Sequence, residues 1–414
     1  MKITKKKFPN GMRFVGVNLP ESKTVTVQVF VRVGAEDEKK GEEGLAHFIE
    51  HMCFKGTVKR PTALSITREI ESLGAHVNAY TNYKTTSYYI KGSKNHIEKI
   101  IDIISDIYNN PLFPEAEIEK EKGVVIEEIN MYNDQPDNLV DEDWHKLYFE
   151  KGRYTCPIGG TKETVSSFAR EQLISFFERH YIPHNTVFVV SGTFDEKKVI
   201  DQVKKFFNKK SHYMTVRRPV ISHTKNPAQH VVSKKTDQAH LVMGVPACTY
   251  LSDERYPTYV LSTILGVGMS SRLFQLLREE MGVAYYVYTQ ASIAPSHGVF
   301  KIYAGVDKNR AKEVIEKIQQ EIKRIAHDGI SDEELTRAKE YMAGEISLGL
   351  ESSDDFSSFY GNQEVYGLPP ESPKQKEQKM RSVTKSDVIK IAKKLFKNSF
   401  TISLIGDFPP NYLD

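Results

Sequence analysis

Apolar and polar positions along this chain follow two periods. Val25, Val27, Val29, Val31 and Val33 alternate with polar or aromatic neighbours. A period of two predicts a β-strand, and Asn10-Gly11 upstream predicts a hairpin turn. After Asn95, Ile97, Ile100, Ile101, Ile104 and Ile107 recur at helical spacing. After Asn309, Val314, Ile315, Ile318, Ile322 and Ile325 do the same, and Ser331 with Glu334 predicts a capping box at the start of another helix. Strands grouped with helices, rather than strictly alternating, predict an α+β sandwich: an antiparallel-dominated sheet with helices on one face.

The pattern occurs twice. Tyr88-Tyr-Ile-Lys-Gly-Ser-Lys-Asn95 faces Ile302-Tyr-Ala-Gly-Val-Asp-Lys-Asn309, and Thr186 to Phe194 faces Phe400 to Phe408. Asn95 to Asn309 and Gly192 to Gly406 are both 214 residues apart. Two matches at one offset predict tandem homologous domains. Their expected bounds are residues 1–208 and 229–414. The stretch 209–228 between them is basic (Lys209, Lys210, Arg217, Arg218, Lys225), contains Pro219 and Pro227, and reads as a linker, with a nucleic-acid patch as the functional alternative.

Composition narrows the class of function. The 414 residues carry a formal charge of only +3, without the clustered excess of a nucleic-acid binder. Hydrophobic residues are 39%, enough for sizeable cores. No apolar run reaches the ~18 residues of a membrane span. Met1 to Lys7 is basic but lacks the apolar stretch of a signal peptide. Cys53, Cys156 and Cys248 form neither a disulfide framework nor a Cys-x-x-Cys site, so a reducing, cytoplasmic setting is the expectation.

The sharpest chemistry lies in His47-Phe-Ile-Glu50-His51. On a helix, residues i and i+4 share a face, so His47 and His51 can point two imidazoles at one ion with Glu50 beside them. The order His-x-x-Glu-His is the inverse of the commoner zincin motif. A catalytic zinc needs a third protein ligand and an open position. The segment Glu117 to Tyr132 offers candidates. Glu117, Glu121 and Glu128 share one helical face, and Glu127 lies about 100° away. The apolar flank Val124-Val-Ile126 suggests that this helix is buried.

These residues resemble the insulinase–pitrilysin family of zinc peptidases, above all its half-length subfamily that includes the mitochondrial processing peptidases. In that family 76 residues separate the second His from the Glu ligand; counting from His51, the position reached is Glu128. Gly44 to Thr57 looks like the family's ligand helix, Gly74 to Thr81 like its edge strand, and Pro157-Ile-Gly-Gly-Thr161 like another of its loops. Gly266 to Arg278 with Gly282-Val-Ala-Tyr285 resembles the segment carrying its substrate pair.

The resemblance implies Zn²⁺ held by His47, His51 and Glu128, with Glu121 orienting a ligand histidine and Glu50 activating a zinc-bound water. It implies substrate backbone docking at Asn78 and Ala79, and hydrogen bonds from Arg278 and Tyr285 to the substrate. The function implied is a zinc metalloendopeptidase acting on unfolded peptides in an enclosed chamber. The partners implied are a peptide substrate and a second copy of the chain, as a homodimer with composite sites. Two alternatives share the fold: a non-catalytic scaffold or assembly subunit, and a catalytic chain needing a zinc-less partner. His76 lies near the docking strand, whereas His180, His184, His212 and His223 read as surface or linker residues.

Overall fold

The computed structural model describes residues 1–151, 153–207, 222–224 and 226–413. Most of the expected linker, including all five of its basic residues, lies outside that description. The chain divides into two compact units.

The first unit draws on Met1–Asn130, the described residues from Cys156 to 207, and Gly349–Pro370. Its six-stranded sheet comprises β1 (Lys2–Lys7), β2 (Arg13–Asn18), β3 (Thr24–Val31), β4 (His76–Thr81), β5 (Thr86–Ser93) and β7 (Thr186–Gly192), in the order β1-β2-β7-β3-β5-β4. Only β2 and β7 pair in parallel. Its helices are α1 (Leu45–Met52), α2 (Ala63–Ser72), α3 (Ile97–Asn109), the start of α4 (Glu115–Asp134), α6 (Lys162–Ser167), α7 (Arg170–His180), α8 (Glu196–Phe206) and α13 (Ser353–Val365).

The valines of β3 are fully buried on the helical side together with Ile100, Ile101, Ile104 and Ile107 of α3. The residues between those valines are buried as well. Thr26, Gln28 and Phe30 lie under α13, where Gly361 approaches so closely that an added Cβ would strike the Phe30 ring. The polar members of this face are satisfied locally. Thr26 and Ser353 hydroxyls lie 2.8 Å apart, and the Gln28 amide donates to Ser87 Oγ at 2.9 Å. The sheet is thus covered on both faces, by a helical layer on one and a single helix on the other.

The second unit draws on Met131–Thr155, the described residues from 222 to 348, and the chain from Glu371. A short pairing joins β6 (Phe149–Lys151) to β8 (Ser222–His223). The main sheet has β9 (Gln229–Ser233), β10 (Ala239–Ala247), β11 (Ala284–Ile293), β12 (Gly298–Val306) and β13 (Thr401–Gly406), in the order β11-β12-β10-β13-β9. Only β9 and β13 are parallel. Its helices are α5 (Pro136–Tyr148), α9 (Arg255–Gly266), α10 (Arg272–Phe274), α11 (Ala311–Asp328), α12 (Asp332–Leu348), α14 (Pro373–Arg381) and α15 (Lys385–Leu395). The capping box expected at Ser331 opens α12, with reciprocal bonds of 2.7 and 3.0 Å to Glu334.

The five strands β9-β13-β10-β12-β11 of the second sheet match β2-β7-β3-β5-β4 of the first, and β1 is additional. β5 and β12, and β7 and β13, carry the repeated sequences and hold equivalent places in the strand order. Each unit also takes a 13-residue helix from the other half of the sequence, α13 in the first and α5 in the second.

Candidate metal centre and substrate surfaces

Helix α1 is short, and its placement is over-determined. Leu45, Phe48 and Met52 are fully buried, which fixes its inner face. Its N-terminal residue Gly44 has a left-handed φ of 91° and lies against Gly159, where a Cβ would come within 2.5 Å of the Gly159 carbonyl. The Pro157–Thr161 loop therefore seats the start of α1 through a contact that only glycine permits. The buried Glu38 carboxylate accepts from the Gly44 and Ala46 amides at 3.1 and 2.9 Å, satisfying two of the helix's free donors.

The other face presents His47, Glu50 and His51. His47 Nε2 and His51 Nε2 are 3.2 Å apart, and Glu128 Oε2 of α4 lies 3.8 and 3.7 Å from them. Tetrahedral zinc with donors at ~2.0–2.1 Å holds them ~3.3 Å from one another. The three donors therefore fit such an ion with small adjustments. Among the described residues, they are the one cluster of three or more His, Cys, Asp or Glu side chains able to hold a metal. Glu127 is exposed and pairs with Asn130 instead. Val125 is fully buried while Val124 is half exposed, so α4 packs along one side only.

Glu121 is buried and bridges His51 and Lys55. Its Oε1 lies 2.8 Å from His51 Nδ1, and Lys55 Nζ pairs with its Oε2. That bond leaves His51 Nε2 free for a metal. Burial alone would raise the Glu121 carboxyl; the hydrogen bonds from His51 and Lys55 outweigh it and hold the group below its ordinary range. Burial, and then the nearby His51, push His47 down to about 4, so its imidazole is neutral and ready to ligate near pH 7. Burial raises the Glu50 carboxyl, partly offset by a hydrogen bond from Thr81 Oγ1 at 2.5 Å. A carboxylate so raised is a stronger proton acceptor.

Asn78 and Ala79 lie on β4, which among the described residues pairs with β5 alone, at the edge of the sheet. The Ala79 amide donates to Asn78 Oδ1 at 2.8 Å, so it belongs to the side away from β5. The opposite edge, β1, carries Lys2, Lys5, Lys6 and Lys7, which discourage strand addition. His76 is exposed on β4.

In the second unit, Arg278 lies on a short stretch of π-helix (Gln275–Glu280) and Tyr285 near the start of β11. The Arg278 guanidinium sits 5.6 Å from the Tyr285 ring centre, and that tyrosine is 68% exposed. A cavity of about 520 Å³ opens beside them, with Asp237, Gln238, Val283 and Asp307 also in its wall.

Two residues at the first site carry no role in the sequence reading: Lys55 and Thr81. Both stand inside segments quoted for the family resemblance, but only the fold reveals what they touch. His180 is corrected from a surface residue. It is 2% exposed at the end of α7, accepting from Arg179 Nε at 2.9 Å, because α7 packs that end against the core. His223 is exposed and stacks on Tyr148; His212 lies outside the described residues. Among the described residues, no helix is long and apolar enough to cross a membrane.

Comparison with known proteins bears on this arrangement. A family profile described as "Insulinase (Peptidase family M16)" matches residues 13–162, and one described as "Peptidase M16 inactive domain" matches residues 167–342. A protein of Rickettsia bellii named "uncharacterized zinc protease" is 33% identical, over 98% of this chain and 97% of its own. The "uncharacterized zinc protease YmxG" of Bacillus subtilis is also 33% identical, over 96% of each chain. The crystal structure of a protease from Helicobacter pylori shares the fold with a TM-score of 0.90 at 22% identity, over 98% of this chain and 99% of that one. Motif spacing, strand order and end-to-end similarity converge: this chain belongs to the insulinase family, peptidase family M16.

Proposed function

We propose that this chain is a zinc metalloendopeptidase that cleaves unfolded peptides in an enclosed chamber. The observation that carries the reading is the convergence of His47 Nε2, His51 Nε2 and Glu128 Oε2 with Glu50 on the same helix. His47, His51 and Glu128 hold the zinc. A bound zinc supplies Lewis acidity toward a peptide carbonyl and an attacking water. Glu50 accepts the proton that the water loses, and then delivers it to the departing amine. Asn78 and Ala79 bind the peptide backbone by extending the sheet at β4. Arg278 and Tyr285 donate hydrogen bonds to the substrate, a contribution of ~3–4 kcal/mol for one well-placed donor. Backbone pairing reads little side-chain identity, so length and lack of folded structure weigh heavily in what is cut.

Zinc per chain and cleavage of quenched-fluorescence peptides, measured on one preparation, test this reading. Wild type is expected to hold about one zinc and to cleave, whereas Glu50→Gln keeps the metal and is inactive. A chain that takes up no zinc after reconstitution overturns the ligand assignment and returns the scaffold reading to the front.

A further inference from the structure

Thr81 is the last residue of β4, the edge strand assigned to substrate, and its hydroxyl reaches the side chain assigned as the base. Thr81 Oγ1 lies 2.5 Å from Glu50 Oε2 and 3.3 Å from Thr86 Oγ1, its cross-strand neighbour. Thr86 is fully buried and donates its own proton to the Val33 carbonyl at 3.0 Å. A hydroxyl has one proton to give. The row Glu50–Thr81–Thr86 therefore contains a single mobile hydroxyl proton, that of Thr81, and two acceptors for it.

The nearer acceptor is Glu50 Oε2, so Thr81 gives its proton there. With Oε2 held, Oε1 is the oxygen through which Glu50 takes and returns a proton. We propose that Thr81 is a positioning residue for Glu50, fixing the orientation of its carboxyl group through a hydrogen bond to Oε2. Because Thr81 belongs to β4, it ties the peptide-docking edge to the base. The inference rests on the peptidase reading above.

Thr81→Val keeps the side chain's shape and removes the hydroxyl; Thr81→Ser keeps the hydroxyl. Both are measured beside wild type for zinc per chain, KM and kcat on one quenched-fluorescence peptide. Thr81→Val is expected to hold wild-type zinc and KM within twofold while kcat falls about tenfold or more. Thr81→Ser is expected to recover most of that loss. Wild-type kcat in Thr81→Val overturns the proposal. So does a loss of zinc or a rise in KM that parallels the loss of kcat, or a Thr81→Ser protein as slow as Thr81→Val. Wild-type protein that holds zinc yet cleaves nothing sinks the peptidase reading, and this inference with it.

Discussion

At the scale of residues, the candidate centre depends on groups one step removed from the metal donors. Glu121 is a buried carboxylate aimed at His51, and Lys55 pairs with its second oxygen. A buried carboxylate with one oxygen unpaired would carry an uncompensated cost and a looser orientation. Losing the outer partner of a ligand histidine usually weakens metal binding about 10- to 100-fold, and Lys55→Met, which loosens that partner without removing it, is expected to weaken zinc binding toward the lower end of that range, about 10-fold. Titrating zinc-loaded protein with a chelator checks it, and Lys55→Arg should restore most of the affinity. Unchanged zinc retention in Lys55→Met removes Lys55 from the centre. His47, Glu50 and His51 were legible because helical spacing alone places them on one face. Glu128 was not legible on that basis: Glu117, Glu121, Glu127 and Glu128 share a helix, and only the family's spacing singled one out. Lys55 and Thr81 were invisible because their partners, 66 residues downstream at Glu121 and 31 residues upstream at Glu50, are set by tertiary contact.

At the scale of elements, periodic helices and strands were readable and the crossing helices were not. α3 and α11 each bury one isoleucine-rich stripe, which leaves a plain signature. α13 buries Ser353, Ser357, Gly361 and Gln363 along with Tyr360 and Val365, a small and polar face that no hydrophobic period reveals. α5 is anchored by Trp144, which is fully buried, donates to the Thr401 carbonyl at 2.9 Å and stacks on Tyr148. The ring lies over Gly244 of β10, where a Cβ would meet it at 2.3 Å. Gly244→Ala is expected to cost about 1–3 kcal/mol through overpacking, measured by urea unfolding. The same helix carries a pH response. His145 is buried, with Nε2 3.2 Å from Lys301 Nζ and Nδ1 3.3 Å from the Tyr154 carbonyl; Asp141 pairs with Lys301 at 2.6 Å. Burial, and then the Lys301 charge, lower His145 to about 4. The unfolded chain takes up this proton near pH 6.5 and the folded chain only near 4. Stability is thus full above 6.5 and is lost as pH falls through that window, by about 3 kcal/mol at most from this group. Melting at pH 7.5 and pH 4.5 should separate wild type from His145→Asn, with the variant losing less. An equal loss in both proteins assigns the acid sensitivity elsewhere.

At the scale of the whole molecule, the 214-residue repeat made two related sheets legible, whereas the reciprocal use of α5 and α13 was not, because it leaves no mark in the repeated strands. The repeat also has a functional side. β4 and β11 hold equivalent edge positions in their sheets. One edge carries Asn78 and Ala79, and the other begins with Tyr285 beside Arg278. The two sets of proposed site residues therefore lie at equivalent edges of the repeated sheet, both on a single chain. In a symmetric dimer each composite site would combine His47, His51, Glu128 and Glu50 of one subunit with the partner subunit's Arg278 and Tyr285. Glu50→Gln and Arg278→Ala are each expected to be nearly inactive alone. Mixed in equal amounts with free exchange, half of the dimers are hybrids, and each hybrid has one site with both wild-type contributions and one with neither. The mixture should therefore recover about a quarter of wild-type activity. Sites completed within one chain would recover nothing, since every chain in the mixture lacks one of the two residues. Size measurement of each variant and of the mixture, with exchange followed by a tag on one variant, makes the outcome decisive. Recovery near a quarter supports the composite dimer, and no recovery after verified exchange overturns it.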